Sequence, residues 1–297
     1  MNIHLAGIES TFGWKNTNVS PYDNFLITYA YYAKTKNMKI QENQVSKTFD
    51  KFKDKKIMLD SGAFTRSNGI VDFTLEDYIK FLHTYGQSFF CYITLDIPMR
   101  GILTKEKISN SLRETEYNLE RIEKEGLTPI PVYQRHWQDY SILEKYLNNY
   151  DYICIGGTAT GIRDNEEDLN KYLDKVFDLN SKYKRKLHGL GQTQNKILKK
   201  YPFYSVDSTS WLQGTKTCTC YYNDMDKYLP VSIDKSNYSK ILIEPYLFDN
   251  FERDTNYVNR LNHNIVFYKN YQRILQELWR HRGIDWGEYD KNKHFTN

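Results

Sequence analysis

Short apolar runs that stop at a single polar or glycine residue recur along this chain, most of them followed by a longer amphipathic run. Ile57-Met58-Leu59 stops at Asp60, Phe89 to Leu95 at Asp96, and Pro129 to Tyr133 at Gln134. Tyr152 to Ile155 stops at Gly156-Gly157, Leu187 at His188-Gly189, and Tyr204-Ser205-Val206 at Asp207. Continuous apolar runs of this length read as strands buried on both faces. The runs between them carry helical spacing. Leu75, Tyr78, Ile79 and Leu82 fall at i, i+3, i+4 and i+7 behind a capping Thr74. Ile108, Leu112, Leu119 and Ile122 do the same behind Thr104, with Gly126 as the stop. Further helices are predicted near Asp139 to Leu147, behind Asn165, from about Thr193 to Lys200, and over a long closing stretch of about 256–282.

Strand and helix alternating in this way demand a parallel sheet. Six or seven such units, a first strand at Asn2 to Ala6, and a unit near Phe25 to Ala33 that reads as either helix or strand predict an α/β fold, a (β/α)8 TIM-barrel-like domain. An open doubly wound sheet is the alternative, and the absence of GxGxxG and GxxxxGK[ST] turns counts against its nucleotide-binding forms. No low-complexity linker or repeat divides the 297 residues, so one domain spanning 1–297 is expected, with 212–255 inserted before the closing helix. Lys240 to Ile243 is a further candidate strand in that insertion.

Composition narrows the setting. Twenty-six tyrosines supply much of the apolar area in a chain of mean hydropathy −0.72. The net charge of +4 permits a polyanionic partner. No apolar run approaches the roughly 20 residues of a membrane helix. Met1-Asn2-Ile3-His4-Leu5 lacks the marks of a signal peptide, and four cysteines match cytoplasmic usage, so a cytoplasmic protein with no membrane partner is expected.

In a parallel barrel the C-terminal strand ends share one face, where chemistry sits. The expected cluster is therefore Asp60, Asp96, Gln134, Gly156, Gly157, His188, Gly189 and Asp207. Two carboxylates flanking a substrate suit glycosidic chemistry, and the remaining Asp, Gln and backbone groups suit the edge of a purine. Read singly, each Asp also fits a helix N-cap, and His188 a satisfied core histidine. The basic run that includes Lys184, Arg185 and Lys186 fits either a solvated helix face or phosphate contacts. Trp211 is a candidate wedge for an extruded nucleotide.

Taken in order, Leu59-Asp60-Ser61-Gly62-Ala63-Phe64, Leu95-Asp96, Val132-Tyr133-Gln134, Gly156-Gly157-Thr158-Ala159-Thr160-Gly161, His188-Gly189-Leu190-Gly191 and Val206-Asp207 resemble the motifs of the tRNA-guanine transglycosylase superfamily. The likeness runs from about residue 57 to 211, and His263 to Tyr268 resembles that superfamily's closing helix. It is nearest to the shorter phage and genomic-island DNA guanine transglycosylases, which install 7-deazaguanine bases in DNA. The resemblance implies Asp207 as nucleophile on C1′ of a guanine nucleotide and Asp60 as the acid and base for the two purines. It implies Asp96, Gln134 and the backbone around Gly156 and Gly157 on the base edge, with Phe64 and His188 on its two faces and Gly189 among the base-binding residues. DNA and a free 7-deazaguanine base would be the substrates.

Two departures bear on the substrate. The tRNA enzymes hold zinc through three Cys and one His, whereas only Cys218 and Cys220 stand here, so no metal and no other cofactor is expected. Ser208-Thr209-Ser210-Trp211 replaces their Pro-Thr-Arg type loop. Both favour DNA over tRNA. A non-catalytic accessory subunit and a hydrolase that releases a base without replacing it are the other readings.

Overall fold

The computed structural model describes residues 1–10, 17–34, 37–99, 101–158, 166–212, 220–224, 229–233 and 253–296. Eight parallel strands form its centre: β1 (Asn2–Ala6), β2 (Asn24–Thr28), β3 (Lys56–Asp60), β4 (Cys91–Tyr92), β5 (Val132–Gln134), β6 (Tyr152–Gly156), β7 (Lys186–Gly189) and β8 (Ser205–Ser208). Each strand lies beside its neighbour in sequence, and β1 lies beside β8. The two edges of this sheet, β4 and β5, meet through a parallel bridge between Ile93 and Ile130. There the Ile130 amide donates to the Tyr92 carbonyl at 2.8 Å, and the Thr94 amide to the Ile130 carbonyl at 2.9 Å. The sheet therefore curls round on itself as a (β/α)8 TIM-barrel-like fold.

The helices are α1 (Tyr29–Ala33), α2 (Met38–Lys51), α3 (Ala63–Ser67), α4 (Leu75–Tyr85), α5 (Lys105–Lys124), α6 (Tyr140–Asn149), α7 (Glu166–Tyr183), α8 (Asn195–Lys200) and the closing helix α9 (Arg253–His281). Period-two alternation sorts the strand residues into two cores. Ile3, Leu5, Phe25, Ile27, Ile57, Leu59, Ile153 and Ile155 pack outward into the helix layer. Ala6, Leu26, Met58, Cys91, Val132 and Cys154 fill the barrel interior. A slip of one residue would exchange the two sets, so register is strongly specified. Thr74 closes α4 with a full capping box to Asp77, as its spacing predicts.

The segment from Phe25 to Ala33 is neither all strand nor all helix. It is β2 followed at once by α1, and Thr28 is both the last strand residue and the cap of the helix. Between β8 and α9 a separate antiparallel pair, β9 (Cys220–Asp224) with β10 (Leu229–Ile233), stands in what the sequence offered as an undivided insertion. The expected strand at Lys240 to Ile243 and the Asn165 cap lie outside the described residues.

The last helix and the chain beyond it hold the other end of the barrel. The Gln272 side chain of α9 accepts from the Ile3 amide at 2.8 Å and from the Asn24 amide group at 3.1 Å, tying the starts of β1 and β2 together. Past α9, Tyr289 enters the interior cluster from below. Its ring lies 5.0 Å from that of Tyr152, and its amide donates to the Tyr204 hydroxyl at 3.1 Å. Tyr289 and His294 bond to each other, and the His294 carbonyl accepts from the Asp151 amide just ahead of β6. The N-terminal mouth of the barrel is thereby filled by the tail.

Candidate active site

At the opposite mouth the strand ends bring four carboxylates together. Asp60 ends β3, and its Oδ2 accepts from the Gly62 amide at 2.9 Å. It also bonds the hydroxyl of Thr28, its register partner at the end of β2. Gly62 lies at φ +79°, and a Cβ there would stand 2.8 Å from the Ala30 amide nitrogen. Only glycine lets the chain turn from β3 into α3 against α1. Phe64 follows in the first turn of α3, with 62% of its surface exposed.

Asp96 and Gln134 are both buried, and the Gln134 Nε2 donates to Asp96 Oδ2 at 2.5 Å. Gln134 pairs in register with Gly156 across β5 and β6. A Cβ on Gly156 would fall 2.5 Å from Gln134 Oε1 and 2.6 Å from its Cδ, so the missing side chain is where the amide lies. Gly157 turns at φ +69° against Arg135 Cβ. Replacing Gly156 with Ala is therefore expected to push the Gln134 amide off Asp96. If a purine edge rests on this pair, its affinity measured by calorimetry should drop about tenfold or more, the worth of one hydrogen bond to a charged group, while the melting temperature changes little. Unchanged affinity would remove Gln134 from the site.

Asp207 comes from β8, and its side chain is 12% exposed. Both of its protein bonds fall on Oδ1, from His188 Nε2 at 3.1 Å and from the Gly191 amide at 2.8 Å. Among the described residues no donor is bonded to Oδ2. Behind it, His188 Nδ1 meets Ser205 Oγ at 2.6 Å, and Ser205 Oγ meets the Tyr152 hydroxyl. With Nε2 as the protonated nitrogen these bonds run in one direction: the Tyr152 hydroxyl donates to Ser205, Ser205 to Nδ1, and Nε2–H to the carboxylate. The chain of bonds fixes one oxygen of Asp207 and orients the other.

The electrostatics follow from burial and crowding. Burial, chiefly, with the neighbouring Asp60 charge, pushes Asp96 up to about 7. Burial raises Asp60 as well, and the Asp207 charge adds to it, against the pull of the Gly62 amide, the Thr28 hydroxyl and His188.

Two residues belong here that the sequence did not single out. Glu9 follows β1 on a single 3-10 turn and is buried, with Oε1 accepting from the Thr28 amide at 3.2 Å. Among the described residues its Oε2 has no hydrogen-bond partner, and burial raises its carboxyl to about 7, with the Asp60 charge contributing. His4, inside β1, lies edge-on to His188 with ring centres 5.8 Å apart. Burial and the neighbouring His188 hold it neutral, down to about 3. The only trace of His4 in the sequence is its parity with Ala6 on an alternating strand; Glu9 leaves none.

Two expectations are corrected. Trp211 is fully buried, and its indole N–H donates to the Ala6 carbonyl at 3.0 Å, so it is a packing residue and cannot act as a wedge. Lys184, Arg185 and Lys186 precede or open β7, which puts them at the filled mouth of the barrel, away from the carboxylates. There Arg185 donates from Nε to the Leu147 carbonyl, and Lys186 pairs with Asp151 at 2.9 Å. Gly189 sits within the sheet between β6 and β8, and a Cβ there would meet Phe203 at 3.0 Å. Its bareness serves packing of the outer layer. Cys218 lies outside the described residues, and among those described no group of three or more His, Cys, Asp or Glu is arranged to hold a metal. No helix among them is long and apolar enough to cross a membrane.

The arrangement supplies an oriented nucleophilic carboxylate, a second carboxyl that keeps its proton to higher pH, and a buried amide–carboxylate pair suited to a heterocycle edge. No family model matches the chain, and no curated protein matches it in sequence.

Proposed function

We propose that this protein is a base-exchanging transglycosylase that replaces guanine in DNA with a 7-deazaguanine. The observation that carries the reading is the pairing of Asp207, one oxygen pinned by His188 and Gly191, with Asp60, whose carboxyl is raised by burial. In the first half-reaction Asp207 Oδ2 attacks C1′ and the C1′–N9 bond breaks. The electron pair goes to the purine, which takes the Asp60 proton as it leaves. In the second half the incoming 7-deazaguanine gives its ring N–H proton to Asp60. Its nitrogen attacks C1′, and Asp207 departs as the carboxylate. Two inversions give net retention.

Asp96 and Gln134 match the guanine edge. The N1–H and 2-amino groups of guanine call for a carboxylate acceptor, and O6 calls for a donor such as the Gln134 amide. Because burial lifts the Asp96 carboxyl to about 7, purine binding should strengthen as the pH rises through that value. The motif resemblance supports the same roles. The Ser208-Thr209-Ser210-Trp211 segment supports DNA over tRNA, because it lacks the Arg of the tRNA enzymes' loop.

The test is incubation with radiolabelled guanine and either single-stranded DNA or tRNA. Label should enter DNA and be chased out by a 7-deazaguanine. Label in tRNA alone would move the substrate to RNA, and guanine release without any incorporation would make the protein a hydrolase.

A further inference from the structure

Glu9, Asp60, Asp96 and Asp207 gather at this mouth of the barrel, close enough for their charges to act on one another, yet the proposed substrate is a polyanion. A strand of phosphates has to be held by something beside the carboxylates. The side of the mouth that can do so is formed by the connections after β2, β3 and β4, at 29–40, 61–74 and 97–107. Their described residues, 29–34, 37–40, 61–74, 97–99 and 101–107, hold five Lys or Arg (Lys34, Lys39, Arg66, Lys105 and Lys107) against two acids, Asp72 and Glu106, a net of +3. Lys39, Lys105 and Lys107 are exposed on the first turns of α2 and α5.

The same three connections are also unusually apolar on the outside. Nine large hydrophobic side chains are exposed among the described residues, and six of them are here: Met38, Ile40, Phe64, Ile70, Ile102 and Leu103. Ile102 is 80% exposed and Ile70 65%. Lysines alone make an ordinary solvated surface, and exposed apolar side chains alone make a protein contact. Interleaved on consecutive barrel loops at the rim of an acidic pocket, they match a chain that alternates phosphates with flat, unstacked bases.

We infer that the rim formed by the β2, β3 and β4 connections is the docking path for single-stranded DNA, with lysines on phosphates and Ile70 and Ile102 against bases flanking the target. The choice of deoxyribonucleotide rests on the reading above; the position of the path rests on charge and exposure. It also replaces the Lys184 to Lys186 run, which stands at the other mouth.

The experiment is fluorescence anisotropy with a labelled 20-nucleotide single-stranded DNA, using the full chain. The K39E/K105E/K107E variant should bind tenfold or more weakly at about 0.1 M salt. Its plot of log affinity against log salt should be shallower by about 2, at roughly 0.7 for each phosphate that a lysine neutralises on a single strand. A charge-matched control, K124E/K175E/K182E, alters exposed lysines elsewhere on α5 and α7 and should bind as the wild type does. The double variant I70S/I102S should lose affinity with the salt slope unchanged. Calorimetry with free guanine should give the same affinity in wild type and K39E/K105E/K107E. Equal loss in the two lysine variants, no loss in either, no binding by the wild type, or tighter binding of the matching RNA would overturn the path. Guanine that fails to bind while DNA still follows the rim would overturn the proposed function and leave the path standing.

Discussion

Asp207→Asn should abolish base exchange, lowering the rate by about 10⁴-fold or more, and no covalent protein–DNA species should survive denaturation. The variant is expected to fold. An Asn side chain turned so that its oxygen faces His188 Nε2 and the Gly191 amide keeps both bonds that Oδ1 now accepts. What it loses is the anionic oxygen on the other side. Mass spectrometry of the denatured protein after incubation with DNA reads the adduct directly. An adduct that persists in Asp207→Asn would place the nucleophile on another carboxylate, and Glu9 would be the first to examine, because its Oε2 is buried without a partner among the described residues.

The second large effect is expected at Asp60. Asp60→Asn should slow departure of guanine by about 10²- to 10⁴-fold, the usual worth of a positioned acid. The amide still accepts from Gly62 N, so the turn into α3 is retained. In the wild type the raised carboxyl holds its proton to higher pH than an exposed aspartate does. The first half-reaction should accordingly fall off as the pH climbs through the raised value, and this limb should vanish in Asp60→Asn. A substrate carrying 7-methylguanine provides the control. That cationic purine leaves as a neutral molecule and needs no proton, so its loss should be nearly equal in the two proteins. A comparable slowing with both purines would make Asp60 a structural residue.

Much of the fold could be read from the sequence because most strands in it are short apolar runs cut off by one polar or glycine residue. That cut-off is what a parallel barrel requires at its reactive mouth. The segment at Phe25 resisted because nothing between Ile27 and Tyr29 breaks the run; Thr28 ends the strand and caps the helix without a glycine or proline to mark the change. The placement of Lys184 to Lys186 was available from direction alone. Residues that precede a strand stand at its N-terminal mouth, and only those that follow it reach the carboxylates. Trp211 misled because closeness to Asp207 in sequence does not say where a side chain points, and its indole found the Ala6 carbonyl of β1, the strand next to β8. Glu9 was illegible for a different reason. Its burial is created by Thr28 and by the fold around Asp60, both distant in sequence, and a glutamate in a polar stretch carries no mark of that.

The Tyr289 tail has a consequence for the order of events. With Tyr289 stoppering the barrel floor, the exchange proposed above would have to use the carboxylate-bearing mouth for both the outgoing purine and its replacement. Traffic has to alternate, one departure before each arrival.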